Sequence, residues 1–119
     1  MNAELPEWTV EVTPTMIIST ALATRDYQDV HHDRDAAVRR GGTDIFLNIL
    51  TTTGLVQRYV TDWAGPSAVV HGIAIRLGTP CHAYDTLTFT GRVIEPGVVA
   101  VAGRTAGGEH VSGTVRVTP

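Results

Sequence analysis

The chain has 119 residues, a formal charge of −3 and a pI near 5.9, with its nine basic residues scattered, which gives no support for a nucleic-acid or anionic-membrane surface. The length fits one domain over 1–119 with a core of modest size, and 43% hydrophobic residues suit a globular protein or one with an apolar partner face. Cys81 is alone, so no internal disulfide forms and the expected compartment is the cytoplasm; Met1 to Glu7 lacks the basic and apolar runs of a signal peptide, and no apolar stretch reaches spanning length.

In chain order, Met1 to Pro14 reads as a loose lead-in, with a short strand suggested where Val10 and Val12 alternate with charges. Met16 to Leu22 is apolar and β-rich, and predicts a strand. The polar run Thr24, Arg25, Asp26, Gln28 and Asp29 keeps neither helical nor strand period, so Asp26 to His31 reads as a loop. Asp33 to Arg40 fits two helical turns, with Asp33 as N-cap and Gly41-Gly42 as the stop. The longest helix is expected over Asp44 to Ala64, capped by Thr43 or Asp44 and ended by Gly65-Pro66. Its first half is apolar nearly all round, which predicts burial on most sides. Four strands should follow: Ser67 to Leu77, Asp85 to Val93, Val98 to Thr105 and His110 to Val117. Pro96-Gly97 and Gly107-Gly108 supply the last two turns. Leu87, Phe89 and Val93 fall on one face of the second of these strands.

One strand, one long helix and four antiparallel strands specify an α+β arrangement, a curved antiparallel sheet wrapped around a central helix, which is the hotdog fold. Small residues expected on the outside of the last strands (Ala100, Gly103, Gly113) favour side-by-side pairing with a second such unit.

Chemistry concentrates in the Asp26–His31 loop. A fully extended chain would separate the two residues by about 17 Å, so the segment must curl before an acid and an imidazole can address one small molecule. That pairing suits adding or removing a water. Alone, Asp26 reads as a turn aspartate and His31 equally well as a packed histidine. His32 and Asp33 do not make a metal site, because adjacent residues rarely share a metal and no third ligand has useful spacing. Cys81 reads as structural, Tyr59 and Trp63 as core, and His71, His82 and His110 carry no argument. Asp29 and Asp33 read as solvated or capping.

The pattern Asp26-x4-His31-x5-Ala37 resembles the signature loop of the MaoC-like, (R)-specific enoyl-CoA hydratases, and Leu50 to Trp63 with Gly65 following resembles their central helix. The likeness runs from about Met16 to Pro119. The runs Ser19 to Asp26, Asp29 to Asp35 and Val60 to Ser67 are similar to the small subunit of heteromeric hydratases of bacterial steroid side-chain degradation. The resemblance implies that Asp26 and His31 are the catalytic pair. It implies an acyl-CoA thioester substrate, a steroid (cholesterol) side-chain enoyl-CoA, and no cofactor beyond the coenzyme A of that substrate. It also implies a second hotdog subunit that shelters the apolar end of the substrate, in a heterodimer or dimer of heterodimers. Three positions depart from the family pattern. Arg25 stands where glycine is usual, Gln28-Asp29 replaces Asn-Pro, and Leu47-Asn48 stands where a His-Gly pair starts the helix. The backbone N–H of Asn48 would then face the thioester oxygen. Arg25, Arg34, Arg39 and Arg40 are candidates for the coenzyme A phosphates, or equally a solvated face. A 3-hydroxyacyl-carrier-protein dehydratase subunit and a non-catalytic stabilising subunit remain as alternatives; a thioesterase fits less well, since Asp62 lies at the far end of the helix.

Overall fold

The computed structural model describes residues 3–119; the first two residues of the lead-in, Met1 and Asn2, lie outside the described residues. Strands β1 (Glu4–Glu11), β2 (Val69–Leu77), β3 (Thr86–Glu95), β4 (Val98–Thr105) and β5 (Gly108–Thr118) form one antiparallel sheet in the order β1-β3-β4-β5-β2. The helix α3 (Ile49–Ala64) packs against β2 and β5, giving the hotdog arrangement that the element order predicts.

The core lies between α3 and the concave face of the sheet. Val56 and Val60 from the helix, and Leu87, Phe89 and Val115 from β3 and β5, are fully buried. Burying an aliphatic side chain of this size contributes roughly 1.5–3 kcal/mol, so these few residues hold helix and sheet together. Tyr59 stacks on Phe89 (5.6 Å between centroids) and Trp8 on Phe89 (5.4 Å), while the Tyr59 hydroxyl donates to Pro6 O at 2.8 Å. That bond ties the helix to β1 across the end of the sheet. A second polar tie lies deeper. His110 on β5 donates Nδ1–H to Thr79 O at 2.8 Å, and its Nε2 accepts from the Thr52 hydroxyl at 2.8 Å.

Five expectations need correction. The lead-in is a full strand, β1, because Leu5 and Val12 reach the core and Glu4 through Glu11 finds a partner in β3. Met16 to Leu22 is not a strand but lies in the helix α1 (Pro14–Ala23). Thr13 caps it by accepting from Met16 N–H at 3.1 Å, Pro14 takes the first helical position, and the buried Ile17 and Ala21 stand one turn apart. The long helix begins at Ile49, not Asp44, because Ile45 to Leu47 pairs with Cys81 to Ala83 instead. Leu47 N–H donates to Cys81 O and Ala83 N–H to Ile45 O, both at 3.0 Å. Its first half is also less buried than its apolar sequence suggests, since Ile49 and Leu50 are each about half exposed (52% and 53%). Finally, Gly103 and Gly113 pair with Val111 and Val101, so they belong to the helix-facing side; of the three small residues expected outside, only Ala100 is there.

The strands from Val69 to Thr118 and the short helix α2 (Arg34–Arg39) with its Asp33 cap fall within a few residues of expectation. Among the described residues, no helix is long and apolar enough to cross a membrane.

Candidate active site

The segment from Thr24 to His31 leaves α1, turns sharply and enters a short 3-10 turn (Asp29–His31). Arg25 carries the reversal with φ of +57°, a left-handed conformation that costs an L-residue about 1–2 kcal/mol. This accounts for the glycine usual at that position in the family the loop resembles. Arg25 N–H donates to Leu22 O and Asp26 N–H to Ala21 O, closing the end of α1 and turning Asp26 back over it. The curl required by the sequence is therefore built from a helix C-terminus and one left-handed residue.

The result brings Asp26 and His31 together. Asp26 Oδ2 lies 3.4 Å from His31 Nε2. His31 is buried, and its Nδ1 lies 2.7 Å from Phe46 O. A carbonyl can only accept, so Nδ1 carries a hydrogen there, and Nε2 is the nitrogen turned toward Asp26. The Phe46 ring meets the His31 ring edge to face at 5.0 Å and fixes its plane. Both constraints come from the strand-like Ile45–Leu47 segment that was expected to be helical.

Asn48 completes the cluster in a way its position in the sequence did not reveal. It is the N-cap of α3, accepting Thr51 N–H at 3.0 Å through its side-chain oxygen. Its amide nitrogen donates to Thr24 Oγ1 at 2.8 Å and to Asp26 Oδ2 at 3.3 Å. The other carboxylate oxygen of Asp26 accepts Gln28 N–H at 3.3 Å. Among the described residues the Asn48 backbone N–H has no hydrogen-bond partner, and neither does the buried hydroxyl of Thr51. Thr24 and Thr51 carried no sequence signal; the Asp-like capping habit of Asn48 before an apolar run was the one clue to its role.

The remaining candidates are dispersed. Arg40 forms a two-pronged ion pair with Asp29 at 3.0 and 3.2 Å, which holds the Asp29 carboxyl below its ordinary range. Arg34 reaches Asp44 at 3.7 Å. An open depression of about 380 Å³, lined by Tyr27, Gln28, Asp29, Val30 and Arg40, runs beside the loop. Cys81 is buried, and its thiol is pushed up to about 12 by that burial first and by the charge of the Asp85 carboxylate second. His110, though buried, faces Thr52 and Thr79, not the Asp26–His31 pair.

No family model matches the chain. It is 58% identical over 122 residues, covering 99% of this chain and 95% of the relative, to the 3-oxo-4,17-pregnadiene-20-carboxyl-CoA hydratase beta subunit of Mycobacterium tuberculosis. A chain in the crystal structure of the ChsH1–ChsH2 complex from the same organism superposes with a TM-score of 0.93 at 59% identity, over 98% of this chain and 95% of that one. An unliganded (R)-hydratase from Pseudomonas aeruginosa superposes at 0.88 with 19% identity, covering 98% of this chain and 79% of that one. An (R)-hydratase from A. caviae involved in PHA biosynthesis superposes at 0.80 with 16% identity, covering 99% and 93%. At such identities these last two report on the fold alone.

Proposed function

The chain belongs to the MaoC-like enoyl-CoA hydratases, and on that premise we propose that it is the subunit carrying the acid–base pair of a heteromeric hydratase for a steroid side-chain enoyl-CoA. The observation that carries this reading is the approach of Asp26 Oδ2 to His31 Nε2 with the other imidazole nitrogen anchored on Phe46 O. In the hydration the ring enters with Nε2 free of its proton, so that Nε2 and Asp26 Oδ2, 3.4 Å apart, both accept from one water, which donates with its two hydrogens.

In the hydration, that water loses a proton to the pair as its oxygen forms a bond to Cβ of the enoyl thioester. The π electrons move to the thioester oxygen, giving an enolate. The proton is then delivered to Cα, the enolate collapses, and a 3-hydroxyacyl-CoA results. The Asn48 backbone N–H at the start of α3 supports stabilisation of the enolate oxygen, since it is unspent and stands at the positive end of a helix of 16 residues. The mechanism needs no metal and no cofactor apart from the coenzyme A carried by the substrate.

Partner dependence follows from the same geometry. The helix fills the sheet, so a bulky acyl group cannot enter the subunit. Ile49 and Leu50, which follow Asn48 at the start of α3, and Leu22 at the end of α1 are half exposed. An adjoining hotdog subunit that covers them would shelter the steroid, in a heterodimer or dimer of heterodimers, and the similar chain of the ChsH1–ChsH2 complex supports a second subunit. A buried free thiol and a single cysteine fit a cytoplasmic location.

The test is turnover of 3-oxo-4,17-pregnadiene-20-carboxyl-CoA by the assembled complex carrying Asp26→Asn or His31→Ala. Loss of a general acid–base group costs about 10²–10⁴-fold, and each variant should lose at least the lower figure. Unchanged turnover would make this chain a scaffold. Faster turnover of a carrier-protein thioester than of the coenzyme A thioester would instead identify a dehydratase subunit.

A further inference from the structure

The hydrogen bonds of the Asn48 side chain are all committed, and their directions are fixed. The residue is 3% exposed, and its oxygen and both amide hydrogens have partners. The orientation is unambiguous, because Thr51 N–H can only donate and the Asp26 carboxylate can only accept. Thr24 agrees: its own hydroxyl hydrogen goes to Thr20 O at 2.8 Å, leaving a lone pair for Asn48. One amide therefore joins the C-terminus of α1, the Asp26 carboxylate and the first turn of α3. Glycine, usual at this position in the family, could do none of this.

We infer that the Asn48 side chain is a positioning residue that sets the Asp26 carboxylate against His31, in addition to any part its backbone plays toward the substrate. The inference rests on the proposed role of Asp26 and His31. Gln28 N–H holds one carboxylate oxygen and Asn48 the other, so the plane of the carboxylate is determined from both sides. The oxygen that Asn48 holds is the one that faces His31 Nε2. Without that donor the carboxylate rotates about a single remaining bond, and the placement of Oδ2 against His31 Nε2 is lost. Misplacement of this kind costs on the order of 10²-fold in rate, with little effect on substrate affinity.

The experiment compares variants that keep the helix cap. Serine and aspartate both cap well, so Asn48→Ser and Asn48→Asp retain the bond from Thr51 N–H; aspartate removes the donor to Asp26, and serine draws it back, its hydroxyl being shorter than an amide that already sits at 3.3 Å. In the assembled complex with 3-oxo-4,17-pregnadiene-20-carboxyl-CoA, kcat should fall about 10–100-fold in both, with KM within about threefold. Asn48→Asp should also move the acidic limb of the kcat profile upward, because a second carboxylate now faces the first. Thr24→Val, which removes the group that orients the amide, should lower kcat in the same direction, and Thr24→Ser should restore it. A role confined to capping predicts wild-type kcat and an unmoved profile for both Asn48 variants, and that outcome overturns the inference. Asp26→Asn serves as the control. If it abolishes turnover while Asn48→Asp and Thr24→Val are silent, only the positioning role fails; if it too is silent, the proposed function fails with it.

Discussion

Replacing Thr52 by valine removes one hydroxyl from the centre of the molecule with almost no change in shape. Thr52 is fully buried and His110 2% exposed, and the hydroxyl is the partner of His110 Nε2 at 2.8 Å. The variant leaves a buried imidazole nitrogen without a donor, which costs about 1–3 kcal/mol. Valine recovers part of that by sparing the burial of its own hydroxyl, so a net loss of about 1–2 kcal/mol is expected. For a chain of this length the unfolding entropy is about 0.25 kcal/mol/K, so the midpoint should fall by about 4–8 °C. The effect has a pH signature. Burial holds the His110 imidazole below its ordinary value of 6.5, against weaker opposing influences from Thr79 O and Asp85. The unfolded chain then binds more protons than the folded one below about pH 6.5, so wild-type stability is full above that pH and declines as pH falls toward the lower folded value. The Thr52 hydroxyl favours the neutral ring, so removing it weakens this dependence. Thermal denaturation followed by circular dichroism at fixed protein concentration should therefore show the largest gap between wild type and T52V near pH 8, narrowing near pH 5.5. No gap near pH 8, or a gap that widens on acidification, would refute the assignment of donor and acceptor.

Three other outcomes follow from single observations. Arg25→Gly should raise stability by about 0.5–1 kcal/mol, because relief of the left-handed backbone exceeds the extra freedom of glycine in the unfolded chain; chemical denaturation checks it. Gly103→Ala should lose about 1–3 kcal/mol in the same assay, since a Cβ there would lie 2.9 Å from Val111 Cγ1 and 3.1 Å from Phe89 Cε1 in a filled core. Cys81, with its thiol pushed up to about 12 by burial, should resist a thiol-specific reagent at neutral pH in the native protein and react fully once unfolded.

Local pattern carried most of the fold. The alternation of Leu87 and Phe89 with threonines, and the turns at Pro96-Gly97 and Gly107-Gly108, specify three strands because a two-residue period with one buried face has no other solution. Asp33 and the paired glycines likewise bracket α2 without help from elsewhere. The Thr13-Pro14 start and the Ile17–Ala21 spacing of α1 were also present in the sequence, but the β-branched run between them outweighed them. The spacing of Asp26 and His31 identified the residues to watch, and the left-handed Arg25 is the feature that lets so short a loop bring them within 3.4 Å.

What local pattern could not decide is where the long helix starts. Ile45 to Leu47 is as apolar as the helix that follows, and its preference for Cys81 to Ala83 exists only after the 35 residues between Phe46 and His82 have folded back. That choice moves the cap from Thr43 or Asp44 to Asn48 and points Phe46 O at His31. It also brings an asparagine side chain onto the Asp26 carboxylate. The identity of the acid and the base was thus written in one short segment. Their orientation belongs to the tertiary structure, because each is held by a hydrogen-bond partner more than a dozen residues away, and such partners are selected by the packing of the whole sheet on its helix.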